Sequence, residues 1–565
     1  MTNYQGLPDS LSLMLMSISL LVAFWISGPR DSGGGVAAAV DSLSKRPWIS
    51  LLLVFAVSLL TNLGLTLIRY PLPRIHDEFS YLLAADTYAS GRLTNPTHPY
   101  WKHFETYHVL SQPSYMSKYP PGNGIFLALG QVTTGHPIVG SWLALALGIA
   151  ATYWALRGWI HRRWALIAGL LLAINVPMLM AWGQTYWGGG VQLLGGSLLI
   201  GALRRIVDRD RWPRPVWQYA SLFACGAVIL ANSRPLEGFL LCGVAAVVLL
   251  HWLWKSPASD RINNLVQLAL PSLLIGGIGI ASLAINNAAV TSRATQLPYS
   301  AHSKQYTATS MVIWNALPPV PKYNLPAMEA FYRDWCRQRQ LDAQTFAGYT
   351  ALVSSKLQHL SHFYTFMGGL CLLPALALVR RDRWLLFAVA VVLGLLVIEF
   401  QFVHSRTFPH YVAPVACLFY VAMFQSLRWL HAAGHRNRLA RMVLPTIVFY
   451  SLLALIAYGV GNATRIESPN RSEIAELLEQ EPGKHLVLVE YSPDHNVHRE
   501  WVYNRADIDN APIVWAHRLG PEADAPLLKH FADRNTWLWQ ADRGAEGLTQ
   551  FEPPADKRYR AIFSQ

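Results

Sequence analysis

Two adjacent acidic residues, Asp77 and Glu78, follow an apolar stretch at residues 48–68 that is long enough to cross a lipid bilayer. A carboxylate at a membrane edge is costly unless water or a substrate surrounds it, so this pair is the first candidate for chemistry. One carboxylate can act as a general base while the other orients a group or binds a cation, because adjacent helix residues point about 100° apart. The structural alternative is that both acids cap a helix start.

Three cations are predicted to hold a phosphate near this pair. Lys118 precedes a Pro-Pro turn that can fix the direction of its ammonium, although a helix begun by proline with a snorkelling lysine is the alternative. Arg234 offers a guanidinium shaped for phosphate, but it can also pair with Glu237 one helical turn later. Arg406 lies in a turn crowded with histidine and tyrosine, and we expect it to contact the same phosphate.

Aromatic and polar side chains complete the predicted site. Tyr186 and Trp187 precede three glycines, a pattern suited to stacking on a sugar but equally typical of an aromatic belt at the membrane interface. A long aromatic segment at residues 291–361 suits either a lid over an acceptor or a simple cover for the helices. The predicted substrate-binding residues are Tyr81, Tyr119, Tyr186, Trp187, Glu237, His302, Lys304, His410 and Tyr411.

The elements that must position these residues are membrane-spanning helices. Hydrophobic residues make up 52% of the 565 positions and charged residues only 14%, with a mean hydropathy of +0.24. The apolar residues form about twelve runs of spanning length. The predicted fold class is therefore a mainly α, polytopic membrane protein with about twelve transmembrane helices and a small C-terminal α/β domain.

The positive charges set the predicted orientation. The net charge is +13, and the lysines and arginines cluster in every second short connection, as in cytoplasmic loops. This pattern puts both termini outside and argues against nucleic acid as a partner. The first apolar run, residues 11–26, lacks the positive segment of a signal peptide, so we expect a retained helix. Two long outer loops, residues 71–137 and 291–361, then carry the polar candidates.

The predicted domains are a transmembrane catalytic domain at residues 1–461 and an extracytoplasmic domain at 462–565. In the latter, strands are expected near 485–491, 513–516 and 536–539, with a helix near 525–532. No nucleotide-binding motif separates these elements. His495 and His498 are interpreted as loop residues, since two histidines without a third ligand rarely bind a metal. Four of the five cysteines fall within predicted spans, so neither a disulfide framework nor a metal cluster is expected.

The acidic pair, followed some forty residues later by a Lys-Tyr-Pro-Pro turn, resembles the C-type integral membrane glycosyltransferases. Within that superfamily the chain is most similar to the protein O-mannosyltransferase and lipid A aminoarabinose transferase branch. The resemblance covers roughly residues 48–240. It implies a polyprenyl-phosphate-linked sugar donor, an active site at the outer membrane face and inversion at the anomeric carbon. It also implies that Asp77 stands at the position of the family's catalytic acidic residue and that Glu78 stands at the position next to it.

The sequence thus predicts a glycosyltransferase that moves a hexosyl or pentosyl group to an acceptor hydroxyl of a lipid, glycan or protein. The expected location is a bacterial inner membrane, with the active site and the C-terminal domain in the periplasm. No metal ligand set is predicted, but the acidic pair leaves room for a divalent cation such as Mg²⁺ or Mn²⁺. A polytopic lipid or glycan transporter and a non-catalytic envelope scaffold are the alternatives.

Overall fold

The structure is a computed structural model that describes residues 9–26, 34–365, 372–403, 409–434, 437–464 and 471–551. The helices are α1 Asp9–Ile26, α2 Gly34–Ser44, α3 Pro47–Ile68, α4 His76–Ala89, α5 Pro121–Thr134, α6 Ile138–Trp159, α7 Arg162–Ala173, α8 Val176–Met178, α9 Gly190–Val207, α10 Val216–Ala231, α11 Pro235–Lys255, α12 Ala258–Thr291, α13 Pro298–Tyr306, α14 Pro326–Glu329, α15 Arg337–Ala343, α16 Phe346–Tyr364, α17 Leu373–Leu378, α18 Arg383–Glu399, α19 Pro409–Val412, α20 Ala416–Ala433, α21 Arg438–Ala463, α22 Arg471–Glu479 and α23 Pro521–His530. The strands are β1 Asn95–Pro96, β2 Val109–Leu110, β3 Ser114–Ser117, β4 His485–Glu490, β5 Ile513–His517, β6 Asn535–Gln540 and β7 Leu548–Gln550. Two π-helical turns, Leu179–Gly183 and Ala330–Cys336, follow α8 and α14.

Seven helical segments in the described part of the chain are long and apolar enough to cross a membrane. They are α3, α6, α9, α11, α12, α21 and the segment Pro409–Ala433. The number rises to eight if α7 and Val176–Gly183 form one bent span. The sequence prediction of about twelve spans is therefore not reproduced. Other apolar runs form helices too short to meet the same length, among them α2 and α10.

The bend after α7 has a local cause. The two helical pieces meet at 49°, and the Asn175 side chain at the break accepts a hydrogen bond from the backbone N–H of Met178 at 3.0 Å. Pro177 occupies the first turn that follows, where its missing N–H costs nothing. An asparagine cap and a proline at this spacing restart a helix in a new direction. The second piece then leads into the glycine-rich loop before α9.

The helix bundle is held together by close contacts between α6, α9 and α10. A side chain at Gly148 would meet the backbone oxygen of Gly190 at 2.7 Å, and one at Gly201 would meet the Trp154 ring at 2.4 Å. Small residues let these helices approach closely, which is the usual basis of helix packing in membranes. The large apolar cluster of the bundle forms around these three helices, α7 and α20.

Two small sheets lie outside the bundle. The first joins β1, β3 and β2 in that order, and it lies between α4 and α5 in the chain. The second has the order β5-β4-β6-β7, with β4 parallel to both neighbours and β7 antiparallel to β6. Its three parallel strands and α23 occur where the sequence predicted strands and a helix. This C-terminal α/β segment, residues 471–551, packs against residues 79–115.

Candidate active site

The acidic pair lies in the first turn of α4, and its two carboxylates diverge. Asp77 lines a cavity of about 1090 Å³, whereas Glu78 turns into the protein and is only 1% exposed. Glu78 accepts hydrogen bonds from the backbone N–H groups of Arg74 (2.8 Å), Ile75 (3.3 Å) and Tyr186 (3.1 Å). Its assignment as a catalytic residue is therefore corrected. Glu78 caps α4 and anchors the glycine-rich loop, as the structural alternative for this residue stated.

Three side chains from two different segments surround the Asp77 carboxylate. The Tyr119 hydroxyl donates a hydrogen bond to Oδ1. The His76 Nδ1 atom lies 2.9 Å from Oδ2, and the His108 Nε2 atom lies 3.9 Å from the same oxygen. Burial alone would raise the pKa of Asp77, but the N–H and O–H groups that His108, His76 and Tyr119 turn towards the carboxylate outweigh it and hold the pKa well below its usual range. Asp77 is therefore an anion at neutral pH.

Lys118 is buried next to this anion. Its side chain is 8% exposed, and its Nζ atom lies 2.7 Å from His108 Nδ1 and about 5 Å from the rings of Tyr119 and Tyr299. Burial lowers the pKa of Lys118 to about 8, although the charge of Asp77 acts against this shift. The ammonium thus remains the main form at neutral pH, and it faces the same cavity as Asp77.

Arg234 enters the cavity from a second direction. It immediately precedes α11, and its guanidinium lies 4.1 Å from the centre of the Tyr411 ring. The turn that carries it is tied to the start of α5, because the Gly122 backbone N–H donates to the Asn232 carbonyl at 2.7 Å. This contact places the guanidinium on the cavity wall together with Lys118. The structure therefore brings together two of the three cations that the sequence predicted.

The other predicted residues divide into two groups. Those that line the cavity are Tyr81, Tyr119, Trp187, Glu237, Lys304, His410 and Tyr411. Tyr186 does not line it; its hydroxyl donates to the Pro71 carbonyl at 2.9 Å, and its carbonyl accepts from Asn123. His302 lies behind the wall against Tyr332, with 3.3 Å between its Nε2 atom and the tyrosine hydroxyl. These two residues are corrections to the predicted substrate contacts. Arg406 lies outside the described residues.

Several cavity residues were not predicted. His76 and His108 adjoin Asp77, while His498, Arg499 and Trp501 reach the same cavity from the C-terminal segment. The His498 ring lies 6.1 Å from the His76 ring, so the interpretation of His498 as a simple loop residue is incomplete. Only His76 had a sequence signal, since it directly precedes the acidic pair. The others are more than 30 residues away from Asp77 in the chain, and only folding brings them there.

A divalent metal was left open by the sequence, and two groups of described residues bring ligand atoms within 4.8 Å of one another: His76, Asp77 and His108, and His98, Asp509 and His530. These imidazole-rich groups do not suit Mg²⁺ or Mn²⁺, which prefer oxygen ligands. In the first group, the Lys118 ammonium occupies His108 Nδ1 and leaves a hydrogen on the Nε2 atom that faces Asp77.

In the second group, too, a ring hydrogen instead of a lone pair faces the carboxylate. The backbone N–H of Tyr100 donates to His98 Nδ1, which leaves a hydrogen on the Nε2 atom that faces Asp509. A metal needs a lone pair at that position. Neither group therefore fits a bound metal ion in the arrangement seen. In the second group, His98 and His530 instead lie within hydrogen-bond distance of the Asp509 carboxylate.

Comparison with known proteins gives structural matches only. No family model and no curated protein matches this chain. Solved structures that match include ArnT from Cupriavidus metallidurans in the apo state, at 14% identity over 91% of this chain and 94% of that chain, with a TM-score of 0.48. The same protein bound to undecaprenyl phosphate matches at 14% identity, 84% and 85% coverage, and a TM-score of 0.43.

The archaeal oligosaccharyltransferase AglB from Archaeoglobus fulgidus, in complex with an inhibitory peptide and a dolichol-phosphate, matches at 14% identity over 78% of this chain, with a TM-score of 0.44. The chain spans about 62% of the length of that protein. At these identities and TM-scores the likeness assigns neither an activity nor any residue role to this chain. The resemblance that the motifs indicate therefore stays a prediction.

Proposed function

We propose that this protein is an integral membrane glycosyltransferase that moves a sugar from a polyprenyl-phosphate-linked donor to an acceptor hydroxyl at the outer membrane face, with inversion. One observation supports this above all others. The Asp77 carboxylate shares a cavity of about 1090 Å³ with the Lys118 ammonium and the Arg234 guanidinium. A carboxylate base beside two cations in one cavity is the arrangement that this transfer needs.

Asp77, Lys118 and Arg234 each have one role in the proposed reaction. An acceptor hydroxyl hydrogen-bonds to Asp77, its oxygen attacks the anomeric carbon of the donor sugar, and the hydroxyl proton passes to the carboxylate. The bond between the anomeric carbon and the phosphate oxygen breaks, and polyprenyl phosphate leaves with the electron pair. Lys118 and Arg234 stabilise the negative charge that develops on this leaving group. Attack from the face opposite the leaving group inverts the anomeric carbon.

The low pKa of Asp77 fits a late proton transfer. A carboxylate held by Tyr119 and His76 is a weak base, so it stays ionised while the acceptor binds. The acceptor hydroxyl becomes acidic only when its oxygen has begun to bond to the sugar. Proton transfer at that stage needs a correctly placed anion more than a strong base.

The proposed setting is a bacterial inner membrane, with the cavity and the C-terminal segment on the periplasmic side. The arginines and lysines that cluster in alternate connections support this orientation. The proposed partners are the lipid-linked donor, membrane lipids and an acceptor that is a lipid, a glycan or a protein. Apolar residues such as Leu236 and Leu283 line the cavity beside the cations, which suits a lipid chain attached to a phosphate.

One observation favours a transporter as the second candidate. The bent span formed by α7 and Val176–Gly183 reaches the cavity through Ala181 and Trp182, and broken helices beside a binding site are typical of transporters. Asp77, however, lies at the start of α4, outside the segments that could span a membrane, whereas the proton-relaying carboxylates of transporters lie within spans. The two functions differ in whether a sugar is chemically transferred.

Replacement of Asp77 by Asn tests the proposal directly. In a strain that lacks this protein, mass analysis of the lipid extract is expected to show an accumulated polyprenyl-phosphate sugar, which the wild-type chain removes. We expect D77N to lower this removal about 100- to 10,000-fold, because the general base is lost. The purified variant in nanodiscs should still bind undecaprenyl phosphate with a Kd within about threefold of wild type, since both cations remain.

Asp334→Asn is the matched control, because Asp334 is exposed and pairs with the neighbouring Arg333 outside the cavity. This control should clear the lipid-linked sugar at the wild-type rate. Normal clearance by D77N at equal protein level would reject Asp77 as the base. Movement of an unmodified lipid-linked sugar across the membrane, with no product, would instead establish the transporter.

A further inference from the structure

We infer that His108 is a positioning residue for the transfer reaction: it joins the phosphate-binding Lys118 to the base Asp77 and orients that base. This inference rests on the proposed function, because it needs Asp77 to act as the base. Nothing in the sequence pattern pointed to His108. Its backbone conformation, its hydrogen bonds and its neighbours carry the argument independently of the residues already assigned.

The His108 backbone is held in an uncommon conformation. Its φ angle is +63°, in the left-handed region that non-glycine residues avoid, and histidine is one of the few residue types enriched there. Such a conformation is unfavourable for a non-glycine residue and persists only where its surroundings enforce it. Here the His108 carbonyl accepts hydrogen bonds from the Ser80 hydroxyl at 2.7 Å and from the Lys118 backbone N–H at 3.1 Å.

This backbone directs the imidazole towards the cavity, where aromatic neighbours confine it. The ring centres of His76, Tyr119 and Phe331 lie 4.5, 5.9 and 5.9 Å away, and the side chain lines the same cavity as Asp77. The whole residue is 8% exposed. A ring packed in this way cannot easily rotate, so its two nitrogen atoms keep fixed directions.

The two nitrogen atoms face opposite partners. On one side the Lys118 Nζ atom lies 2.7 Å from Nδ1, and an ammonium group can only donate. Nδ1 is therefore the acceptor, and the hydrogen of the neutral imidazole must lie on Nε2. On the other side, Nε2 lies 3.9 Å from Asp77 Oδ2. Burial and the Lys118 charge lower the pKa of His108, in agreement with a neutral ring.

The result is a row of two hydrogen-bond donors, the Lys118 ammonium and the His108 ring, that leads to the Asp77 carboxylate. The gap of 3.9 Å is about 1 Å longer than a hydrogen bond, so a small movement of Asp77 closes it. A donor phosphate beside Lys118 keeps that group charged and so keeps the hydrogen on Nε2. His108 then joins His76 in holding Oδ2, while Oδ1 is held by Tyr119. The base is oriented once the donor phosphate is in place.

Two substitutions test separately the side of His108 that faces Lys118 and the side that faces Asp77. His108→Asn tolerates the left-handed backbone and retains an acceptor near the position of Nδ1, but it loses the donor towards Asp77. His108→Gln retains an amide donor near the position of Nε2, but it loses the acceptor for Lys118 and fits the backbone less well. The two variants are compared for thermal stability, for undecaprenyl phosphate binding in nanodiscs, and for removal of the accumulated lipid-linked sugar in cells at equal protein level.

We expect H108N to bind undecaprenyl phosphate with a Kd within about threefold of wild type but to clear the lipid-linked sugar at least tenfold more slowly. H108Q should clear it faster than H108N, although H108N should have the higher Tm. Stability and turnover therefore rank the variants in opposite orders. Ser292→Asn, a change at an exposed residue with the same φ of +63°, is the control and should alter neither turnover nor binding.

Turnover that follows Tm, with H108N at least as active as H108Q, would reduce His108 to a structural residue and overturn the inference. Wild-type turnover in H108N would overturn it as well. If D77N is inactive in the same assay, the proposed function stands in both cases. If D77N is active, the proposed function fails first and the inference fails with it.

Discussion

Asp77 and Glu78 are neighbours in the chain, yet their carboxylates meet different kinds of partner. Asp77 is held by side chains, Tyr119 and His76, and faces the cavity. Glu78 is held by three backbone N–H groups, one of which lies more than 100 residues further along the chain in the loop before α9. The first environment allows a carboxylate to exchange a proton with a substrate, whereas the second leaves no oxygen available.

This difference predicts that truncation of Glu78 lowers the stability of the protein, whereas truncation of Asp77 does not. Glu78→Ala leaves buried N–H groups without their acceptor, and we expect the free energy of unfolding to fall by about 2–5 kcal/mol. Asp77→Ala removes no acceptor from a buried backbone group, so its Tm should stay close to that of wild type. Thermal unfolding of both variants in the same detergent measures this. Equal losses of Tm would contradict the assignment of Glu78 to the backbone.

At the scale of elements, the cavity depends on how closely α5 approaches the turn before α11. Gly122 lies in the first turn of α5, and a Cβ atom there would stand 2.7 Å from the Asn232 carbonyl oxygen and 3.3 Å from Ser233. Both groups belong to the turn that carries Arg234. A glycine at this position therefore fixes the distance between Lys118, which precedes α5, and the guanidinium across the cavity.

Gly122→Ala should consequently separate the two cations without touching either. A Cβ atom at 2.7 Å from a backbone oxygen forces a shift of several tenths of an ångström, and a displacement of about 1 Å can cost about 100-fold in rate. We expect at least tenfold weaker binding of undecaprenyl phosphate and slower clearance of the lipid-linked sugar. Gly64→Ala in α3, where a Cβ atom meets nothing within 4 Å, is the control. Unchanged binding in G122A would show that the distance between Lys118 and Arg234 does not matter.

At the scale of the whole molecule, the C-terminal α/β segment packs beside the cavity against α4 and the segment that follows it. The Phe79 and Tyr503 rings stack with centres 4.6 Å apart, and Asp86 accepts a hydrogen bond from the Ala506 backbone N–H. Histidines also make contacts across this interface. His98 lies 3.2 Å from Asp509, and His517 lies 3.1 Å from the Glu105 carbonyl. Because the same segment supplies His498, its docking controls one wall of the cavity.

The histidines make this docking depend on pH. Burial lowers the pKa of His98 and His517 from the ordinary value of 6.5, so the folded state favours their neutral forms. A lowered histidine pKa contributes stability that is fully present above 6.5 and is lost as the pH falls below it. We expect the Tm of the chain and the hydrogen-exchange protection of β4 and β5 to fall between pH 7 and pH 5.

Replacement of both histidines by Gln should make this pH dependence weaker, because Gln does not titrate, although His108 and His302 still contribute to it. His136→Gln, at an exposed position away from the interface, should leave the wild-type pH profile unchanged. An identical decline in the double variant and in wild type would place the pH response elsewhere in the molecule.

The sequence by itself determined the chemistry-bearing candidates and the local elements. An acidic pair after an apolar helix, a lysine before Pro-Pro and an arginine before a proline-started helix are local patterns, and Asp77, Lys118 and Arg234 do share one cavity. The strands β4, β5 and β6 likewise follow from short apolar runs. The predicted number of spans is not confirmed by the described residues, because hydropathy does not reveal where an asparagine cap breaks a helix or where a helix stops short.

Only the tertiary structure decided which neighbour each side chain meets. Glu78 turned from a second catalytic acid into a backbone anchor because the Tyr186 amide arrives from a distant loop. His108 and His498 became cavity residues because a strained turn and a separate α/β segment deliver them to Asp77. The physical reason is that local propensity depends on nearby residues, whereas an active site depends on contacts between residues far apart in the chain.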